Sequence, residues 1–80
     1  MYYVYIIRSQ VDNRLYKGLT KDIDQRIKEH NSGKTKSTRP YKPWSLVYFE
    51  EFDNFKAARN REQFFKSGSG REYLKEHLDP

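Results

Sequence analysis

The sequence predicts an α+β fold: a small three-stranded antiparallel sheet flanked by about three helices. Three observations lead there. A β-branched and aromatic run opens the chain, two more such runs follow it, and helical apolar spacing fills most of what remains.

Tyr3-Val4-Tyr5-Ile6-Ile7 is apolar on both alternating faces, the pattern of a strand covered on two sides, so it belongs at the centre of the sheet. The polar stretch from Ser9 to Arg14, with Asp12-Asn13, reads as a hairpin connection, and Leu15-Tyr16-Lys17-Gly18-Leu19 as the returning strand. Asp22 offers an N-cap with Gln25 three residues on. Ile23 and Ile27 then form a stripe that Asn31-Ser32-Gly33 ends, giving a helix of roughly three turns. From Gly33 to Pro43 no apolar period survives; two prolines and Lys34, Lys36, Arg39 and Lys42 mark a mobile basic surface loop. Ser45-Leu46-Val47-Tyr48-Phe49 is the third strand, ending at Glu50-Glu51. Asp53 or Asn54 caps a second helix to about Lys66, Ser67-Gly68-Ser69-Gly70 breaks it, and Arg71 to Leu78 forms a short terminal helix.

Eighty residues leave room for one core, so residues 1–80 are expected to form a single domain. Its 16% aromatic content lets few side chains do the filling, each burying about 150–250 Å². The absence of cysteine excludes disulfides and thiolate metal sites and fits a reducing compartment. No run of about 18 apolar residues is present, so a cytoplasmic location without membrane contact is expected. The net charge of +5 is uneven: residues 1–42 hold ten basic and four acidic side chains, residues 43–80 six and seven. A polyanion is the natural partner of the first half; a basic surface that serves solubility alone is the competing reading.

Candidate chemistry lies at four places. Ala58, Glu62 and Phe65 share one helix face, with Phe55 earlier on the same stripe, which aims the Glu62 carboxylate inward. Such a group needs a hard cation or an ion-pair partner; helical spacing favours an ion pair with a nearby arginine. Arg26 and His30 lie four apart on one side of the first helix, able to face a phosphate together or to form a solvated helix face. Tyr5 and Tyr16 lie on the paired strands, as two close phenols or as an aromatic ladder, in a register the hairpin leaves open. Gly18, inside a strand pattern, admits close approach of a backbone or ligand.

Taken together, Val4-Tyr5-Ile6, Tyr16-Lys17-Gly18, Arg26 and Glu62, each on its expected element, resemble the signature of the GIY-YIG nuclease superfamily. His30-Asn31-Ser32-Gly33 and Arg61-Glu62 look most like its small stand-alone bacterial members, relatives of the excinuclease C amino-terminal domain. The resemblance spans nearly the whole chain. It implies hydrolysis of DNA phosphodiesters, in branched, nicked or single-stranded forms, with one Mg²⁺ or Mn²⁺ ion. By the same resemblance Tyr16 takes a proton from the attacking water and Tyr5 orients that water. Arg26 holds the scissile phosphate, Glu62 binds the metal, and His30 handles protons or bonds a tyrosine. Lys17, Lys21, Lys34, Lys36, Arg39 and Lys42 are the expected nucleic-acid contacts, with DNA preferred over RNA. The first triad departs from the usual Gly-Ile-Tyr, and Leu19 stands where nuclease relatives carry a lysine beside the phosphate. That second departure raises an alternative: a non-catalytic nucleic-acid-binding or adaptor module on the same scaffold.

Overall fold

The structure, a computed structural model, describes residues 1–78; the last two positions of the expected 1–80 unit lie outside the described residues. The chain runs β1 (Tyr2–Ser9), β2 (Leu15–Thr20), α1 (Ile23–Ser32), a 3₁₀ turn (Arg39–Tyr41), β3 (Trp44–Phe52), α2 (Phe55–Lys66) and α3 (Gly68–Leu78). The strands form one antiparallel sheet in the order β2-β1-β3, so the doubly apolar β1 takes the central place that its sequence predicts.

The alternation along β1 divides the interior in two. Val4 and Ile6 face α2 and α3, where they pack with Ala58, Phe65 and Leu74. Tyr5 and Ile7 face the other way, toward Trp44, Tyr16, Tyr41 and the Ile23 and Ile27 stripe of α1. A helical layer therefore covers each side of the sheet, which is what a strand apolar on both faces requires.

Local signals explain most boundaries. The Asp22 carboxylate accepts from the Gln25 amide, and Gly33 closes α1 in the left-handed region at φ 85°. The Asn54 side chain, not that of Asp53, caps α2 by accepting from Ala57 at 2.8 Å. Asn13 takes the left-handed conformation, at φ 65°, in the β1–β2 turn.

Three boundaries differ from expectation. The third strand runs on through Glu50 and Glu51 to Phe52, because both carboxylates find partners on the sheet surface: Glu50 receives two bonds from Arg61 and one from Tyr48, and Glu51 accepts from Tyr3. The terminal helix begins at Gly68 rather than Arg71, since the Ser67 hydroxyl accepts from the Gly70 amide and restarts the helix at once. Gly70 is buried where a Cβ would strike the Phe64 and Phe65 backbone, which lets α3 fold back closely on α2.

The third correction concerns the basic loop, which is anchored rather than mobile. Thr38 is fully buried, Trp44 Nε1 donates to the Thr38 carbonyl at 2.9 Å, and Ser9 Oγ donates to the Tyr41 carbonyl at 2.6 Å. Asn31 brackets the Trp44 backbone with two bonds, and the Arg14 guanidinium lies 3.6 Å from the Tyr41 ring centroid. Polar composition hid these ties, since each depends on a residue distant in the chain.

Candidate functional site

On the α1 side of the sheet three rings converge. Ring centroids lie 6.4 Å apart for Tyr5 and Tyr16, 5.9 Å for Tyr5 and His30, and 5.0 Å for Tyr16 and His30. The register accounts for this: Ile7 pairs with Tyr16 and Tyr5 with Gly18, so both phenols project from one face of neighbouring strands. Trp44 supports Tyr16 from β3 at 6.2 Å.

Gly18 is the enabling residue. A Cβ there would fall on the hydroxyl and ring of Tyr5, so the missing side chain is the space the phenol occupies.

His30 sits at the last turn of α1 and is fully buried, which rules out the solvated helix face as its setting. Its Nε2 lies 2.9 Å from the Tyr5 hydroxyl and its Nδ1 2.8 Å from Thr38 Oγ1. Thr38 Oγ1 also donates to the Thr35 carbonyl, which uses the one proton of that hydroxyl. We therefore assign the proton of the neutral ring to Nδ1, so that Tyr5 donates to Nε2 and Nδ1 donates to Thr38.

Burial pushes the Tyr5 phenol up to about 12, the neighbouring Arg26 guanidinium pulls it back, and Tyr16 and the Glu62 carboxylate push it further up. Tyr5 therefore keeps its proton at neutral pH. Burial, and then the charge of Arg26, lower His30 below its ordinary 6.5.

A pH dependence of stability follows. The unfolded chain protonates this histidine near pH 6.5 while the folded chain does not, so the unfolded state binds more protons below that value and stability falls as pH drops. Thermal melts are expected to show Tm decreasing between about pH 6.5 and 5, with a shallower slope in His30→Gln. An identical slope in both proteins would contradict the assignment of this loss to His30.

Arg26 is half-buried beside this cluster and donates to Glu29 Oε1 at 2.8 Å. Glu29 raises its already high pKa, and the two tyrosines add to the effect. The guanidinium thus has one side held by Glu29 and its charge turned toward the phenols.

Glu62 approaches from the other layer. It is buried at 6% exposure on α2, and its oxygens receive Arg59 at 3.1 Å and Lys66 at 3.3 Å. The ion-pair reading of Glu62 is met in part by these cations of its own helix, at i−3 and i+4. Its charge nevertheless adds, as the smallest named cause, to the rise of the Tyr5 phenol. Phe55, expected on the same buried stripe, is 53% exposed and packs edge-on against Tyr2.

Thus Tyr5, Tyr16 and His30 stand in contact, Arg26 stands beside them, and Glu62, on α2, acts on Tyr5 through its charge. No group of three or more His, Cys, Asp or Glu suited to a metal occurs among the described residues. A single carboxylate suits a hard ion that keeps most of its shell as water and phosphate oxygen, and both cations on Glu62 are about half-exposed chains free to swing away. The donor set fits one such ion on that condition.

The expected basic contacts scatter. Arg39 donates to the Gly33 carbonyl, Lys34 pairs loosely with Glu29 at 3.9 Å, Lys21 lies over the Tyr2 ring, Lys42 reaches toward Gly33, and Lys36 is exposed. Lys17 points to the α2 and α3 side, among Lys66 and Arg71. Leu19 faces the same way and packs into the Val4 and Ile6 core. Thr38, Arg59, Lys66 and Arg71 were absent from the candidates. The spacing of Arg59 and Lys66 about Glu62 carried a signal; Thr38 carried none.

Residues 1–76 match the GIY-YIG catalytic domain, the mark of a nuclease-type family. The chain belongs to the GIY-YIG family. It is 46% identical over 67 residues to a UPF0213 protein of Haloquadratum walsbyi, covering 82% of this chain and 74% of that one. It is 46% identical over 67 residues to a UPF0213 protein of Clostridium perfringens, covering 82% and 71%. The solution NMR structure of a UPF0213 protein from Bacillus halodurans is similar at TM-score 0.59 and 38% identity, over 100% of this chain and 89% of that one. No helix among the described residues is long and apolar enough to cross a membrane.

Proposed function

We propose that this chain is a metal-dependent endonuclease hydrolysing phosphodiester bonds in DNA, with branched, nicked or single-stranded DNA as its substrate class. The convergence of Tyr5, Tyr16 and His30 beside Arg26 carries this reading, together with membership of a nuclease-type family.

Arg26 neutralises the non-bridging oxygens of the scissile phosphate and fixes it over the two phenols. Tyr5, kept protonated by burial and by its bond to His30, orients the attacking water. Tyr16, the less buried phenol, reacts as the phenolate, its own proton given up to solvent beforehand: it takes the water's proton and becomes the neutral phenol as the water oxygen bonds to phosphorus and the leaving oxygen departs on the opposite side. Glu62 would hold one Mg²⁺ or Mn²⁺, which when bound would stabilise the Tyr16 phenolate before the step and offset the charge that develops on the phosphate. Lys17, on the Glu62 side of the sheet, supplies the cation that Leu19 does not.

Purified protein with Mn²⁺ is expected to cut labelled DNA, and Tyr16→Phe to slow the cut at least about a hundredfold without change in Tm, in line with loss of a general base. Wild-type cleavage rates in Tyr16→Phe would remove Tyr16 from the chemistry.

A second reading, a binding or adaptor module without turnover, is favoured by the two ion pairs on Glu62 and by the core position of Leu19. It predicts DNA binding that weakens with salt, is indifferent to Glu62→Gln and is accompanied by no cleavage.

A further inference from the structure

Away from the tyrosines, the β1–β2 hairpin and α3 enclose a hollow of about 490 Å³. Arg8, Arg71 and Lys75 stand on its wall and Leu15, Leu74 and Leu78 form its apolar surface. No carboxylate lines it among the described residues, although the C-terminal half of the chain is acidic overall. Arg8 reaches only the Leu78 carbonyl, at 3.3 Å, and neither Arg71 nor Lys75 enters an ion pair among the described residues.

The hollow is continuous with the candidate centre. Glu62 binds Lys66, Lys66 and Arg71 both stand beside Lys17, and Arg71 shares the hollow with Arg8 and Lys75. Arg71 is thus shared between the hollow and the cations around Lys17 on the α2 and α3 side of the sheet. Crowding among them is real: burial first, then the charges of Arg71 and Lys66, pull the Lys17 ammonium below its usual range. Like charges gathered together destabilise a fold unless an anion joins them.

We propose that this hollow is a second nucleic-acid subsite, which receives the single strand running on from the scissile phosphate, its phosphates on Arg8, Arg71 and Lys75 and a sugar or base face on the leucines. The inference rests on the nuclease reading and extends it by giving the flanking strand a path. Phosphate contacts of this kind position a strand without reading its sequence. The leucine surface adds an apolar contact that a bare phosphate ion would not use.

The test uses the Glu62→Gln protein in EDTA, so that binding is separated from cleavage, with a fluorescein-labelled twelve-residue oligothymidylate as probe. Each phosphate contact on a single strand contributes about 0.7 to the slope of log K against log salt. Arg71→Ala/Lys75→Ala, both exposed positions, is expected to lower that slope by about 1.4 and affinity by about tenfold at low salt. A charge-matched control, Lys28→Ala/Lys56→Ala, is expected to keep the slope.

An unchanged slope in the first variant, or an equal drop in the control, overturns the subsite. If the wild-type protein still cuts DNA in that case, the nuclease reading stands without it. If the slope drops as expected but the wild-type protein never cuts, the subsite stands and the nuclease reading fails. Absence of any oligonucleotide binding overturns both.

Discussion

Glu62→Gln is expected to remove DNA cleavage by about three to four orders of magnitude while leaving a folded protein. The magnitude follows from the role: a metal on this carboxylate would supply several kcal/mol of charge stabilisation, and each 1.36 kcal/mol is tenfold in rate. The fold should survive because glutamine keeps the volume of the side chain. It also loses only pairs to Arg59 and Lys66, whose side chains are 55% and 49% exposed, and exposed partners of this kind contribute little. A melting curve taken with the cleavage assay separates the two effects. Retained cleavage at wild-type rate in Glu62→Gln would eliminate the carboxylate as metal ligand. Lost cleavage together with a collapsed Tm would make Glu62 a structural residue instead.

Gly18→Ala should be among the most damaging small substitutions in the sheet. The added methyl falls on the hydroxyl and ring of Tyr5, which is 1% exposed and bonded to a fully buried His30, so the phenol has no open direction to retreat. Overpacking of this kind costs about 1–3 kcal/mol. Any retreat also breaks the bond to His30 and leaves a buried nitrogen unpaired, which adds about 1–3 kcal/mol more. Removing the ring should relieve the clash. In a double-mutant cycle Tyr5→Val with Gly18→Ala is then expected to cost less than the two single changes added together. Strict additivity in urea titrations would show that the contact does not govern the site.

The sheet, the central place of the first strand and the caps of the first two helices were legible because each rests on near neighbours in the chain: an unbroken apolar run, Asp22 three residues before Gln25, Asn54 three before Ala57. The oddity of Gly18 was legible too, though not its occupant, which depends on the strand register. Thr38 was invisible. Its role exists only because Trp44 and Ser9 pull the basic loop back onto β1 and α1, and composition carries no record of that return. Glu62 falls between these cases. Its inward aim and an ion-pair setting could both be read from helical spacing, whereas its influence on Tyr5 depends on how α2 docks on the sheet.

The middle position of β1 bears on how the protein is made. Within this domain its residues are made before both of its partners, yet Val4 pairs with Glu50 and Tyr5 with Phe49 on one side and with β2 on the other. The strand must wait, uncovered, while some forty further residues are synthesised. Neither layer can close early, so assembly is governed by distant pairings and should be slow beside that of helical domains of this size. The domain would stay inert until β3 has emerged.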